Sequence, residues 1–321
     1  MWTDDANSKP RPSIALATGD AIVIGAESGS WWTVAGDELV AIESTGAISA
    51  AVCAGGVAAI ASWDSRLQRL QGGAWSAIAL AAPAIAAAAT PRGLVIADTA
   101  GGLSLIAGAS QVPVQELVAD EPIAQLAAAG DGLAALHING TVSATAWPAP
   151  TAEARLGRVD TSAIGRAHAL LPWLPSRPGA LLVAGARGVG VLDGARLVAI
   201  TTDLGERVAG CVPFAATAAS GGCALLYSED GAGYLVDRSL ARTSSLAAIG
   251  AIAGAAPHGH AVLAWTIAGA LYEIASDGAH ARLAAQNVVL AAPDVGRLGA
   301  IAVHWTPTGG ARVTRGHGTW T

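Results

Sequence analysis

His258 and His260, separated only by Gly259, are the closest pair among seven histidines. An HxH spacing can set two imidazoles on one face of a strand, where they could ligate a metal. The other five (His137, His168, His280, His304 and His317) are dispersed, and a polar loop is the plainer reading of the pair. Cys53, Cys211 and Cys223 have no CxxC spacing, so neither a zinc site nor a disulfide framework is expected. No G-x-S-x-G nucleophile elbow occurs. The stretch Gly185-Ala186-Arg187-Gly188-Val189-Gly190 contains GxG but reads as a hairpin, whereas a phosphate cradle needs a helix N-terminus after it. Carboxylates make the better case for catalysis. Glu27, Asp64, Asp98, Glu229 and Asp230 fall at or just after apolar runs, where converging acids could do acid–base work or hold Ca²⁺. Comparable positions elsewhere carry Asn139, Arg187, Ala268 and Thr308, so turn formation is the plainer role. No cofactor and no metal is assigned. The candidate partner-binding residues are Trp31, Trp32, Trp173, Arg177 and Arg187. Tryptophan and arginine are enriched at interface hot spots. Trp173, next to Pro172 and close to Pro175, is the one expected to be exposed; inter-blade packing is the plainer role of most of the ten Trp.

The elements that must carry these residues repeat. Apolar runs begin at Ala21, Val57, Leu94, Leu133, Leu181, Ala224, Ala261 and Ile301, at intervals of 36 to 48 residues, and each ends in a small-residue turn. The second unit is the clearest. Ala47–Ala54, Val57–Trp63, Arg66–Leu70 and Trp75–Leu80 are four strand-length runs joined by Gly55-Gly56, Asp64-Ser65 and Gly72-Gly73. Outer strands recur as a charged residue followed by Leu, at Glu38, Glu116, Arg155, Arg196 and Arg282. They place Val114–Val118 and Glu153–Leu156 as the fourth strands of units three and four. Asn139-Gly140 reads as a type I′ hairpin turn. Helix is scarce among 40 glycines, and Thr161–Pro175 is its best candidate. That segment lies in the longest interval, which predicts an insertion around residues 159–179. Period and strand content together predict an all-β chain forming a single β-propeller of eight short four-stranded blades, with seven as the alternative and a parallel β-helix behind both. Residues 13–321 form the ring. Residues 1–12 are a tail or a ring-closing strand around Trp2, the alternative closing strand being Gly318–Thr321, since an open ring leaves apolar faces uncovered.

Composition excludes several classes. Apolar residues are 52% of the chain and charged residues 13%, so strand faces must be buried extensively. The longest apolar segment, Ala77–Ala89, is broken by Pro83 and falls short of the roughly 20 residues of a spanning helix. Strands of about 6 residues, often apolar on both faces, do not fit an outer-membrane barrel either. The polar start, Met1–Pro12, has no secretory apolar core. A net charge of −6 without an Arg/Lys cluster argues against nucleic acid. A cytoplasmic location follows from the scattered cysteines. The single Lys9 against many arginines, in an Ala- and Gly-rich chain, points to a GC-rich bacterial genome.

The units resemble the broad β-propeller repeat superfamily over nearly the whole chain. Recurring Gly-His and Trp-Asp landmarks of WD40 repeats are missing, and Trp63-Asp64 stands at the wrong hairpin; a consistent Kelch double glycine is missing as well. The chain is thus similar to divergent, non-WD bacterial propellers. The resemblance implies a binding platform in a bacterial multiprotein system; the lack of a catalytic set, the low charge and a rigid ring of variable hairpins make the expectation a non-catalytic scaffold that binds another protein through one rim and the insertion near Trp173. Two alternatives stand beside it: a hydrolase or lyase with an axial carboxylate or metal site, and a small-ligand or glycan sensor.

Overall fold

The computed structural model describes residues 12–316 apart from 18–20, 27, 36–37, 43–45, 55–56, 73, 91–92, 108–109, 114–120, 130–131, 147–155, 174–179, 203, 205–206, 215–222, 284, 286, 295–298 and 307–309. Eight antiparallel sheets follow one another along the chain. Blade 1 comprises Ile14–Ala17, Ile22–Gly25, Trp31–Ala35 and Glu38–Ala41; blade 2 comprises Ile48–Ala54, Val57–Ser62, Arg66–Gln71 and Ala74–Ala79. Blade 3 is Ala84–Thr90, Gly93–Asp98, Leu103–Ala107 and Ser110–Pro113; blade 4 is Ile123–Ala129, Gly132–His137, Val142–Ala146 and Gly157–Val159. Blade 5 is Ala167–Pro172, Leu181–Gly185, Gly188–Asp193 and Arg196–Thr201; blade 6 is Val208–Pro213, Ala224–Ser228, Gly233–Val236 and Arg242–Ser245. Blade 7 is Ile252–His258, Ala261–Thr266, Leu271–Ile274 and His280–Leu283. Blade 8 has Val288–Asp294, Gly299–Thr306 and Gly310–Gly316, three strands among the described residues. The first strands of successive blades lie side by side, and that of blade 8 meets that of blade 1, so the sheets close into a propeller ring with first strands innermost.

The second strands read as unbroken apolar runs because their two faces belong to different cores. In blade 4, Leu133 and Ala135 pack against blade 3, while Ala134 and Leu136 pack against blade 5. Seven apolar clusters cover the ring in this way, the largest spanning blades 7, 8 and 1 with Trp265, Ile301 and Ile24. Inner strands are alanine-rich because they crowd one another, and side chains tie them together directly. Gln125 Nε2 donates to Leu170 O (2.7 Å), and Leu170 N donates back to Gln125 Oε1 (2.9 Å). One amide thus imitates a strand partner across the blade 4–5 boundary. His168 Nε2 donates to Val208 O of blade 6 (3.0 Å), and Cys53 Sγ to Ala17 O of blade 1 (2.9 Å). In blades 2 to 8 the pairing of first and second strands slips near the end of the second strand, a recurrent bulge that marks the duplicated unit.

Two local expectations need correction, and two outer strands are placed afresh. The described part of Thr161–Pro175, up to Trp173, is not helical: Thr161–Gly165 turns, with Ile164 N and Gly165 N both donating to Thr161 O, and Ala167–Pro172 is the inner strand of blade 5. Asn139-Gly140 is not a type I′ turn, because only Gly140 has positive φ (82°). It belongs to a three-residue turn closed by Gly140 N donating to His137 O and His137 N to Thr141 O. The fourth strand of blade 3 comes at Ser110–Pro113, since Ala107 pairs directly with Ser110. In blade 4 it is Gly157–Val159, with Leu156 ahead of it. The expected strands at Val114–Val118 and Glu153–Arg155, both proposed closing strands, and the N-terminal tail lie outside the described residues. No helix among the described residues is long and apolar enough to cross a membrane.

Candidate interaction face

Every second strand ends on the same face of the ring, and in blades 1, 2, 3, 4, 6 and 7 the turn that follows is built to one plan. The residue at the strand end is small or polar and buried: Ala26, directly after Gly25, and Ser62, Asp98, His137, Ser228 and Thr266, each the last of its strand. Three residues on, the chain enters the left-handed region at Gly29 (φ 95°), Ser65 (61°), Gly101 (85°), Gly140 (82°), Gly231 (85°) and Gly269 (79°). The strand-end side chain often satisfies that turn. Asp98 Oδ1 accepts from Ala100 N (2.9 Å) and Gly102 N (2.8 Å), and Thr266 Oγ1 accepts from Ala270 N (3.1 Å). Ser62 and Ser228 donate to Asp64 and Asp230. The carboxylates that could have formed a catalytic rim are therefore mostly held within their own turns. The Ser62 hydroxyl, with Arg66 nearby, holds Asp64 below the usual carboxylate range, and the Ser228 hydroxyl does the same for Asp230. Glu229 pairs with Arg207 (3.1 Å). Glu27 lies outside the described residues. His258 ends an inner strand and pairs with Ala261, leaving His260 in a tight turn on the opposite face. Among the described residues no group of three or more His, Cys, Asp or Glu is placed to hold a metal.

The residue directly after the strand end is fixed differently. Its amide donates to the carbonyl just before the blade's first strand: Trp63 N to Ala47 O (2.9 Å), Ile138 N to Pro122 O (3.1 Å) and Ile267 N to Ala251 O (2.9 Å). With the backbone pinned, the side chain stands out from the ring. Trp63 is 52% exposed, Ile138 60% and Ile267 69%. Three blades thus present a large apolar group from equivalent positions on one face.

Beside Ile138 the face is basic. Arg166 Nη2 donates to Ile138 O (3.0 Å), and Arg187 Nη2 donates to Ser162 O. The stems of both arginines cross left-handed glycines. A Cβ on Gly140 would lie 2.3 Å from Arg166 Cγ, and one on Gly165 3.5 Å from Arg187 Cγ. A hollow of about 70 Å³ adjoins this strip, lined by Glu121, His137, Thr141, Ser143, Leu156 and Arg158. It has room for a few waters. There, His137 Nδ1 donates to Glu121 O (3.0 Å), which fixes the tautomer, so Ser143 Oγ donates to Nε2 (3.0 Å). Hydrogen bonds from Thr141, then Asn139, hold the Glu121 carboxyl low.

Of the sequence-derived candidates among the described residues, Arg187 alone stands exposed on this face. Trp173 is 3% exposed, which corrects the expectation of an open ring: Trp173 N donates to Ala180 O (3.0 Å), and its indole fills the core between blades 5 and 6. Trp31 is buried between blades 1 and 2, its ring lying over Gly25. Trp32 is half-buried against the largest cluster. Arg177 lies outside the described residues. Sequence reasoning missed Ile138 and Ile267; their one signal is an apolar residue set between a polar strand end and a residue-plus-glycine turn.

No protein-family model matches the chain, and no curated protein matches it. Solved structures do. The computationally designed Ika8 protein superposes with a TM-score of 0.68 at 12% identity, covering 97% of each chain. BamB from Moraxella catarrhalis gives 0.59 at 13% identity, over 94% of this chain and 95% of its own. The β-propeller domain of Cps50 (Swd1) from Myceliophteria thermophila gives 0.57 at 11% identity, over 84% and 96%. At such identities the likeness is one of fold, and by fold this chain is an eight-bladed β-propeller.

Proposed function

We propose that the ring is a non-catalytic scaffold that docks another protein on the face bearing Trp63, Ile138 and Ile267. The observation that carries this reading is their equivalence: three large apolar side chains exposed from the same turn position in blades 2, 4 and 7. Full burial of such a side chain is worth about 1.5–3 kcal/mol, so at these exposures each group could contribute about 1–2 kcal/mol to a complex. The rigid ring, cross-tied by side chains at three inner-strand boundaries, holds the three groups without ordering cost on this partner. Free thiols at Cys53, Cys211 and Cys223 suit the reduced, cytoplasmic setting read from composition.

Photocrosslinking in the native host tests the reading. A benzophenone amino acid at position 138 or 267 is expected to trap one and the same protein. The same probe at position 260, in a turn on the opposite face, is expected to trap nothing specific. Equal labelling from both faces, or none from positions 138 and 267, rejects the assignment.

A further inference from the structure

On the arc from blade 4 to blade 5, an exposed apolar group and two oriented cations form one continuous strip. Ile138 leads it; Arg166 follows, hydrogen-bonded to the Ile138 carbonyl; Arg187 stands beyond, hydrogen-bonded to Ser162 O. Neither guanidinium has a carboxylate within ion-pair distance among the described residues, whose two ion pairs are Arg66–Asp64 and Arg207–Glu229. Two acids of this sector accept hydrogen bonds from adjacent turns. Glu121 Oε2 accepts from Thr141 Oγ1 (2.9 Å) and from Asn139, and Asp160 Oδ1 accepts from Ser162 N (2.9 Å). Arg158, the third arginine of this sector, lines the hollow with Glu121.

A guanidinium has five N–H donors in a planar fork. In each of these arginines one terminal nitrogen is anchored on a carbonyl and the stem rests over a glycine, so the remaining donors are already aimed and lose little freedom on binding. Paired forks of this kind match carboxylates, which they bind bidentately. From this charge complementarity we infer that the strip docks an acidic segment of the partner protein, carrying two carboxylates beside a large apolar residue that packs on Ile138. The inference rests on reading this face as a docking surface, and it adds the chemistry of what docks. The body of the protein carries a net charge of −6, so long-range attraction does not favour an acidic partner. Recognition is by contact, and modestly salt-dependent.

The test uses the full chain as bait for a random 12-residue phage-displayed peptide library. Peptides with paired Asp or Glu next to a large apolar residue are expected to be enriched. A synthetic version of the best peptide should bind at least tenfold more weakly to R166E/R187E and to I138D, and less severely so to R166K/R187K, which keeps charge but loses the fork. Urea midpoints of the variants serve as the check on folding. Enrichment of peptides without acids, or binding lost with I138D but retained by R166E/R187E, overturns the acidic-segment inference and leaves the docking face standing. No enrichment, or binding indifferent to all three variants, overturns both. Tighter binding of a mixed-sequence single-stranded oligonucleotide than of any enriched peptide also overturns the inference.

Discussion

Gly140→Ala separates the cost of a turn from the cost of a blade boundary. The residue has φ of 82°, and its carbonyl accepts from Ala167 N of blade 5 (3.1 Å). A methyl there would sit 2.8 Å from Ala167 O and 2.3 Å from Arg166 Cγ. Arg166 can swing aside, but Ala167 O belongs to an inner strand and cannot. The left-handed backbone alone costs a non-glycine residue about 1–2 kcal/mol. Relief of the clash stretches the Gly140–Ala167 hydrogen bond, worth about 0.5–1.5 kcal/mol. The sum is a loss of about 1.5–3.5 kcal/mol. Gly101 occupies the same turn position in blade 3 with φ of 85°, and a methyl on it would meet nothing within 4 Å. Gly101→Ala should therefore show the backbone cost alone. Urea unfolding of both variants gives the two losses, and amide exchange reads the Ala167 N–H directly. Equal losses for the two variants, with Ala167 exchange unchanged in Gly140→Ala, would refute the claim that the turn glycine fastens one blade to the next.

Other expectations follow from the same structure. Gln125→Ala leaves Leu170 N and O without their partner and should cost about 1–3 kcal/mol in urea unfolding, whereas exposed Gln71→Ala should cost little. Trp173→Ala removes a buried indole and should cost about 3–5 kcal/mol; a loss under 1 kcal/mol would show the ring to be exposed in solution. Asp64, Asp160, Asp230 and Asp237 all have their carboxyl pKa held below the ordinary 3.8 by hydrogen bonds. Lowered folded-state values mean that their stabilisation is complete above the unfolded pKa and is lost as pH falls through the lower folded value. Urea midpoints should thus be flat from pH 7 to about 5 and fall below about pH 4, less steeply in D64N/D230N. Burial pushes the Cys223 thiol up to about 11 and Cys211 further still. At pH 7.5 neither should react promptly with maleimide until urea unfolds the ring; rapid labelling of Cys211 in the native state would contradict its burial.

Eight second strands were legible because each is apolar on two faces, so Leu133–Leu136 or Leu181–Ala184 appear as uninterrupted runs. Outer strands carry no such imprint. Gly157–Val159 has one buried residue in three, and nothing in its sequence separates it from a loop. Thr161–Pro175 looked helical because alanine and leucine suit either state, and only pairing with blade 5's second strand decides it. Prolines near Trp173 resembled an exposed loop, yet the residue directly follows an inner strand and is buried in the core between blades 5 and 6. The face residues were hidden for the opposite reason. In a chain so rich in apolar residues, Ile138 and Ile267 look like more core, and it takes the pinned amide of the turn to show that they point outward.

The inter-blade placement of the cores changes what counts as a module. Ala134 and Leu136 of blade 4 share one core with Val183 and Leu192 of blade 5, so a blade cut out alone takes half of two cores and all of none. The gap between blades is the unit that holds together, and each blade is the lid of its neighbours. A chain severed between blades 4 and 5 would yield two arcs, each bare at both ends and each shaped to cover the other. They should find one another again, and a ring of this kind can gain or lose a unit only by making its two ends fit anew.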